Sequence, residues 1–139
     1  ADVHAAFAAV ILKLRPPRVA ARQGVNSHAA VDSTARLAED VEIHSFATVG
    51  PDCEIGQGVT IHSGARLMAG CRVGPGTTIF PNAVLYENTV VGARCIIHAN
   101  AVLGAYGFGY KPTDGRYVLS AQLGNVELGD DVEIGAGTT

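Results

Sequence analysis

The sequence predicts an all-β parallel solenoid wound from six-residue steps and entered through a short helix. Three observations carry that reading. Fourteen consecutive steps begin with Val, Ile or Leu: Val25, Val31, Leu37, Ile43, Val49, Ile55, Ile61, Leu67, Val73, Ile79, Leu85, Val91, Ile97 and Leu103. These three residue types make up 33 of the 139 residues, so chance would give such a run roughly once in 10⁹. Two residues before each step, from Ala29 to Ala101, stands a small or compact residue, Ala, Val, Cys or Thr. Gly is abundant at 17 residues and charged residues are only 17%, the composition of short wall strands joined by tight corners. One aliphatic and one small inward residue per six is the mark of a hexapeptide-repeat parallel β-solenoid.

The elements follow in order. Residues 2–14 read as a helix: Asp2 can cap it, Val3, Phe7, Val10 and Leu14 form one apolar stripe, and Pro16-Pro17 ends it. A helix of this length is marginal alone, so its stripe is expected to dock. Residues 18–24 read as a basic linker, making 1–24 a connecting helix and linker ahead of the repeat domain, 25–139. With three steps to a coil, positions 25–103 make a little over four coils. Gly follows the wall aliphatic at 50, 56, 74, 92 and 104, where a corner needs either positive φ or close backbone approach. Residues 104–124 break the pattern. The next clear wall aliphatic after Leu103 is Leu128, which lies four hexads and one further position along. That extra position would turn the wall inside out unless this segment leaves the coil. Phe108 and three of the four tyrosines, Tyr106, Tyr110 and Tyr117, lie in this excursion, where binding is usually found on a rigid scaffold. The repeat resumes at Val126 and stops in mid-coil at Thr139; with Ala at residue 1, the expectation is a piece of a longer chain.

Net charge is −3, which gives no basic footprint for nucleic acid or an anionic membrane. The longest apolar run, Ala5 to Leu12, is too short to span a bilayer and lacks a signal-peptide layout. Three cysteines show no metal-pair spacing. Cys53 and Cys71 stand three hexads apart and so stack on neighbouring coils. They read as fillers of small inward slots in a reducing compartment, with a disulfide as the other possibility. The residues after the aliphatics form a column of Asn26, His44, His62, Phe80 and His98. A metal ridge is disfavoured because Phe80 interrupts it and no acidic partner is near in sequence; outward stacking at a subunit interface is the better reading. No Ser–His–Asp relay is legible. The Gly-Pro corners lie between strands, not before a helix, and so do not read as phosphate loops.

Several segments occur together in one order: Ala5-Ala-Phe-Ala-Ala-Val10, Leu85-Tyr-Glu-Asn-Thr-Val-Val-Gly92, Ile96-Ile-His-Ala-Asn-Ala-Val-Leu-Gly104, Tyr106-Gly-Phe-Gly-Tyr110, Gln122-Leu-Gly-Asn-Val126 and Gly129-Asp-Asp-Val-Glu-Ile-Gly-Ala136. This series resembles the UDP-3-O-acylglucosamine N-acyltransferases of lipid A biosynthesis. The resemblance covers essentially the whole chain, and the Gly-Phe-Gly-Tyr excursion is its most specific part.

The resemblance implies a left-handed parallel β-helix assembled as a homotrimer in the cytoplasm. It implies transfer of a 3-hydroxyacyl group from acyl carrier protein, on its phosphopantetheine arm, to the glucosamine 2-amine of a UDP-sugar, with no other cofactor and no metal. In that family a His acts as general base within an Ile-Ala-His-Asn hexad expected beyond Thr139. Ile97-His98-Ala99-Asn100 imitates it with His and Ala exchanged, upstream of the excursion, so no catalytic residue is assigned in this chain. Phe108 and Tyr110 are the residues proposed near substrate. The alternatives are a sibling sugar-nucleotide O-acyltransferase or acetyltransferase, and a non-catalytic solenoid serving as an oligomerisation module.

Overall fold

A six-residue step closes into a coil only if the chain bends sharply at every step, and the bend falls on the third residue after each aliphatic. From Asp40 to Asn100, eleven such residues in succession have positive φ. Four are Gly, and Asp40, Asp52, Asn82, Asn88 and Asn100 are the side chains that best tolerate this region. Phe46 (φ 65°) and Arg94 (φ 56°) occupy it against their preference.

The computed structural model describes residues 2–16 and 23–139. Between the bends lie two-residue strands that stack into three parallel walls. The first wall holds Ala30–Val31, Thr48–Val49, Arg66–Leu67, Val84–Leu85 and Val102–Leu103. The second holds Arg36–Leu37, Glu54–Ile55, Arg72–Val73, Val90–Val91 and Glu127–Leu128. The third holds Glu42–Ile43, Thr60–Ile61, Thr78–Ile79, Ile96–Ile97 and Glu133–Ile134. Partners such as Leu67 and Leu85 stand three steps apart and in register. The chain is thus a left-handed parallel β-helix preceded by one short helix.

The second residue of each strand points inward. Ile43, Ile61, Ile79 and Ile97 form one fully buried column, and Ile55, Val73 and Val91 and Val49, Leu67, Leu85 and Leu103 supply the other two walls. The small comb fills the spaces beside them: Ala47, Ala65, Ala83 and Ala101 in one row, Cys53, Cys71 and Thr89 in another, Val41, Val59, Thr77 and Cys95 in the third. Burying a Leu, Ile or Val side chain contributes about 1.5–3 kcal/mol, and the repeat supplies one at every step.

The glycines after the aliphatics divide into two kinds. At Gly74 an added Cβ would stand 2.5 Å from the Gly92 carbonyl carbon, and at Gly92 it would stand 2.4 Å from that of Gly129. Gly50 and Gly56 meet backbone at 2.9 and 2.8 Å. These four serve close approach between coils. Gly104 alone of the set serves positive φ, at +83°, where the chain leaves the coil. Leu128 then lies one coil above Val91 although the whole excursion intervenes between them, so wall register survives the excursion.

The helix runs Val3–Leu14, with the Asp2 carboxylate accepting the His4 and Ala5 N–H groups at 3.0 and 3.2 Å. Its stripe does not dock. No residue of the helix is buried, and Phe7 is 66% exposed. Among the described residues the apolar side has no covering surface, and within them the helix rests on its cap and its own backbone bonds. Except for Gln23 and Gly24, the linker expected at 18–24 lies outside the described residues.

Close approach yields a test with an internal control. Gly92→Ala must push two coils apart and should lower stability by about 3 kcal/mol. Gly129→Ala, in the same column but with nothing within 4 Å of its new Cβ and no positive φ, should change it by less than about 0.5 kcal/mol. Equal midpoints of thermal unfolding for the two variants would refute the assignment.

Candidate excursion site and histidine edge

The excursion leaves at Gly104 and builds a two-stranded antiparallel hairpin, Tyr110–Thr113 with Arg116–Leu119. Asp114 (φ 49°) and Gly115 (φ 75°) make its turn, the pair of left-handed residues that a tight hairpin needs. Every residue of both strands is exposed. Phe108 is 96% exposed, and its ring lies 5.3 Å from that of Tyr110. With Tyr117 these two line an open depression of about 570 Å³. The sequence singled out Phe108 and Tyr110; the structure brings them together, and adds Tyr117 from the opposite strand, which hairpin register places beside Pro112.

The column after the aliphatics stacks as its spacing predicts. Ring centroids are 4.7 Å apart for His44 and His62, 5.1 Å for His62 and Phe80, and 5.2 Å for Phe80 and His98. All four are half-buried. Burial is the main cause that lowers the His62 pKa from its ordinary 6.5; the neighbouring His44 adds to it and Glu42 opposes it. An acidic partner does stand beside this edge, contrary to the sequence reading: His98 Nε2 is 2.7 Å from Glu133 Oε1. The two are distant in the chain, and only the excursion's closure sets them on successive coils. Among the described residues no three His, Cys, Asp or Glu side chains are placed to hold a metal ion.

Cys53, Cys71 and Cys95 are free thiols, all buried. Their Sγ atoms donate to backbone carbonyls of Met68 (3.1 Å), Tyr86 (3.2 Å) and Gly129 (3.1 Å). Contact with the Cys53 thiol, then burial, holds the Cys71 thiol well above its usual range. The thiols are inward fillers with no open route to a reagent.

One constellation escaped the sequence. Arg94 Nε and Nη2 reach Asp131 Oδ1 and Oδ2 at 2.6 and 2.7 Å, with Asp130 Oδ2 at 3.3 Å from Nη2. Asp130 Oδ1 also accepts the Ala93 N–H at 2.8 Å. This clamp joins the last coil before the excursion to the first coil after it. The guanidinium hydrogen bonds hold the Asp131 carboxyl below the usual aspartate range. The consecutive acids Asp130-Asp131 were the available signal, but their partner could not be named before register was known. No helix among the described residues is long and apolar enough to cross a membrane.

Comparison with known proteins adds a family and two sets of relatives. The bacterial transferase hexapeptide (six repeats) profile matches residues 34–69 and 70–105. A UDP-3-O-acylglucosamine N-acyltransferase from Rhodopirellula baltica is 57% identical over 37 residues, 27% of this chain and 10% of that protein. One from Delftia acidovorans is 61% identical over 36 residues, 26% of this chain and 11% of that protein. The matched stretch is thus about a tenth of the relatives' length. Among solved structures, the acetyltransferase domain of PglB from Neisseria gonorrhoeae aligns with a TM-score of 0.46 and 24% identity, covering 57% of this chain and 47% of that one. A GDP-perosamine N-acetyltransferase from Caulobacter crescentus, in complex with CoA and GDP-perosamine, aligns with a TM-score of 0.39 and 22% identity over 78% of this chain and 50% of that one.

The histidine edge predicts a pH dependence. A histidine whose folded pKa is depressed binds fewer protons folded than unfolded, so its contribution to stability falls as pH drops below 6.5 and stops falling once the folded pKa is passed. The midpoint of unfolding, measured from about pH 7 to 5, should decline less steeply in His62→Phe than in the parent chain. Parallel curves would show that His62 does not carry the effect.

Proposed function

The chain belongs to the bacterial transferase hexapeptide family, and from that membership we propose that it is part of a UDP-3-O-acylglucosamine N-acyltransferase. The observation that carries this reading is the 57% and 61% identity to relatives of that name over 37 and 36 residues. The reaction proposed is attack of the glucosamine 2-amine of a UDP-sugar on the 3-hydroxyacyl thioester of acyl carrier protein: the amide C–N bond forms, the thioester C–S bond breaks, and the phosphopantetheine thiol leaves with the proton the amine gives up. A near-neutral base takes the amine proton, and backbone N–H groups hold the oxyanion. Among the residues of this chain, Phe108 and Tyr110 are proposed near the substrate, with Tyr117 beside them. The base is not assigned here: His98 is engaged with Glu133 and stacked on Phe80. The working form is proposed to be a cytoplasmic homotrimer, with the half-buried column of His44, His62, Phe80 and His98 at a contact between copies.

Transfer assays with an acyl carrier protein donor and a UDP-sugar acceptor test the proposal. In the whole protein, Phe108→Ala and Tyr110→Ala should each lower kcat/KM about tenfold, a loss of about 1.4 kcal/mol in transition-state binding. The chain by itself, residues 1–139, should give no turnover. Acceptance of acetyl-CoA but not the acyl carrier protein donor would move the assignment to a sugar N-acetyltransferase.

A further inference from the structure

Three columns of residues run up the corners of the coil, one after each wall. After the first wall stand Asp32, Gly50, Met68 and Tyr86, of mixed size. After the second stand Ala38, Gly56, Gly74, Gly92 and Gly129, all small. After the third stand His44, His62, Phe80 and His98, all rings. Coil stacking does not dictate these differences, since the same step position takes Met and Tyr at one corner and four rings at another. One corner is therefore a ridge and another is hollow.

The hollow is an open groove of about 560 Å³, with Ala38, Gly56 and Gly74 in its floor and Arg36, Glu54 and Arg72 along its rim. The rings of the ridge repeat at 4.7 to 5.2 Å, close to the spacing of about 4.8 Å at which parallel strands stack. A surface that receives every ring of such a ladder must repeat at the same pitch. The groove does so. Each small residue lies six positions before one ring, so that His44 matches Ala38, His62 matches Gly56, Phe80 matches Gly74 and His98 matches Gly92. Within one chain the two columns stand at opposite ends of the third wall and cannot meet. Between two copies with parallel axes they can meet at every coil.

The chemistry of the rim fits the same register. Beside Gly56, where His62 enters, Glu54 offers a carboxylate to an imidazole N–H. Beside Gly74, where Phe80 enters, Arg72 offers a guanidinium to the ring face. The third wall lies between ridge and groove, and its outward side chains Thr60, Thr78 and Ile96 carry no charge, which suits a wall turned toward other copies.

We propose that the ring column of one copy enters the glycine-floored groove of a second copy of this chain, ring into hollow and coil against coil. The contact is heterologous. Because ridge and groove bound the same wall, repeating the contact turns the copies about an axis in front of that wall and closes a ring. The inference rests on the reading that the column lies between copies, and adds the surface that receives it and the register of the fit.

Cysteine pairing in the whole protein tests it. Ala38→Cys and His44→Cys are placed in one chain, oxidised with copper phenanthroline and run on a denaturing gel, while light scattering gives the mass of the unoxidised protein. The native Cys53, Cys71 and Cys95 are buried. The double variant should yield linked oligomers and neither single variant should. Linkage of His44→Cys alone would mean that ridge meets ridge, and overturns the proposal. So does a double variant that associates without linking, a result that leaves the column between copies and removes only the groove. A monomeric mass overturns both. Ala38→Trp, at an exposed position, fills the hollow opposite His44 and should weaken association at least tenfold, whereas Met68→Ala at the mixed corner should leave it unchanged. Association of Ala38→Trp equal to that of the parent also overturns the proposal; if this variant does not fold, the cysteine pair decides.

Discussion

The structure depends on one constraint: each coil must lie on the next at strand-pairing distance all the way round, corners included. Side chains alone could satisfy this on the flat walls. At the corners backbone meets backbone, and there the sequence has no freedom. That is why an added methyl at Gly74 or Gly92 has nowhere to go. It is also why every sixth residue from Asp40 to Asn100 is left-handed, even where the residue is Phe46 or Arg94. The inward thiols and Thr77 answer the same constraint from the other side, satisfying corner carbonyls that tight bends leave without ladder partners.

The excursion is compatible with that constraint because nothing of it enters the stack. It departs through a glycine, folds as a hairpin with no buried residue in its strands, and returns so that Glu127–Leu128 pairs with Val90–Val91. Two contacts then hold the returning coil in place, the Arg94 clamp on Asp130 and Asp131 and the His98–Glu133 pair. The exposed aromatic rings lie outside the stack, on the excursion between two of its coils.

Much of this was legible in the sequence because the dominant force, burial of one aliphatic per step, acts with the period of the chain itself. The walls from Val31 to Leu103, the small comb, the column from His44 to His98 and the departure at Gly104 all follow from counting in single hexads and in threes. The function of each corner glycine was left open between two causes, since both ask for the same residue; only the stacking of the coils separates Gly104 from Gly74. Glu133 and Asp131 were beyond reach for another reason. Their partners are fixed by the length of an aperiodic insertion, and counting fails inside it. The helix misled in the opposite sense: an apolar stripe states a demand for cover, and a sequence does not say whether the same chain supplies it. That Phe108 and Tyr110 stand together follows from their closeness in the chain, while the placing of Tyr117 beside them needed the hairpin's register.

The clamp across Arg94 carries an evolutionary consequence. Because the returning coil is positioned by contacts with the coil beneath and not by the path between, the length of that path is uncoupled from the pitch of the scaffold. Lengthening a flexible connection costs only about 0.6 kcal/mol per doubling. Residues 104–126 are therefore the one interval of the described repeat where insertions and deletions need not come in whole hexads, and where new recognition surfaces can be tried without retuning a single wall.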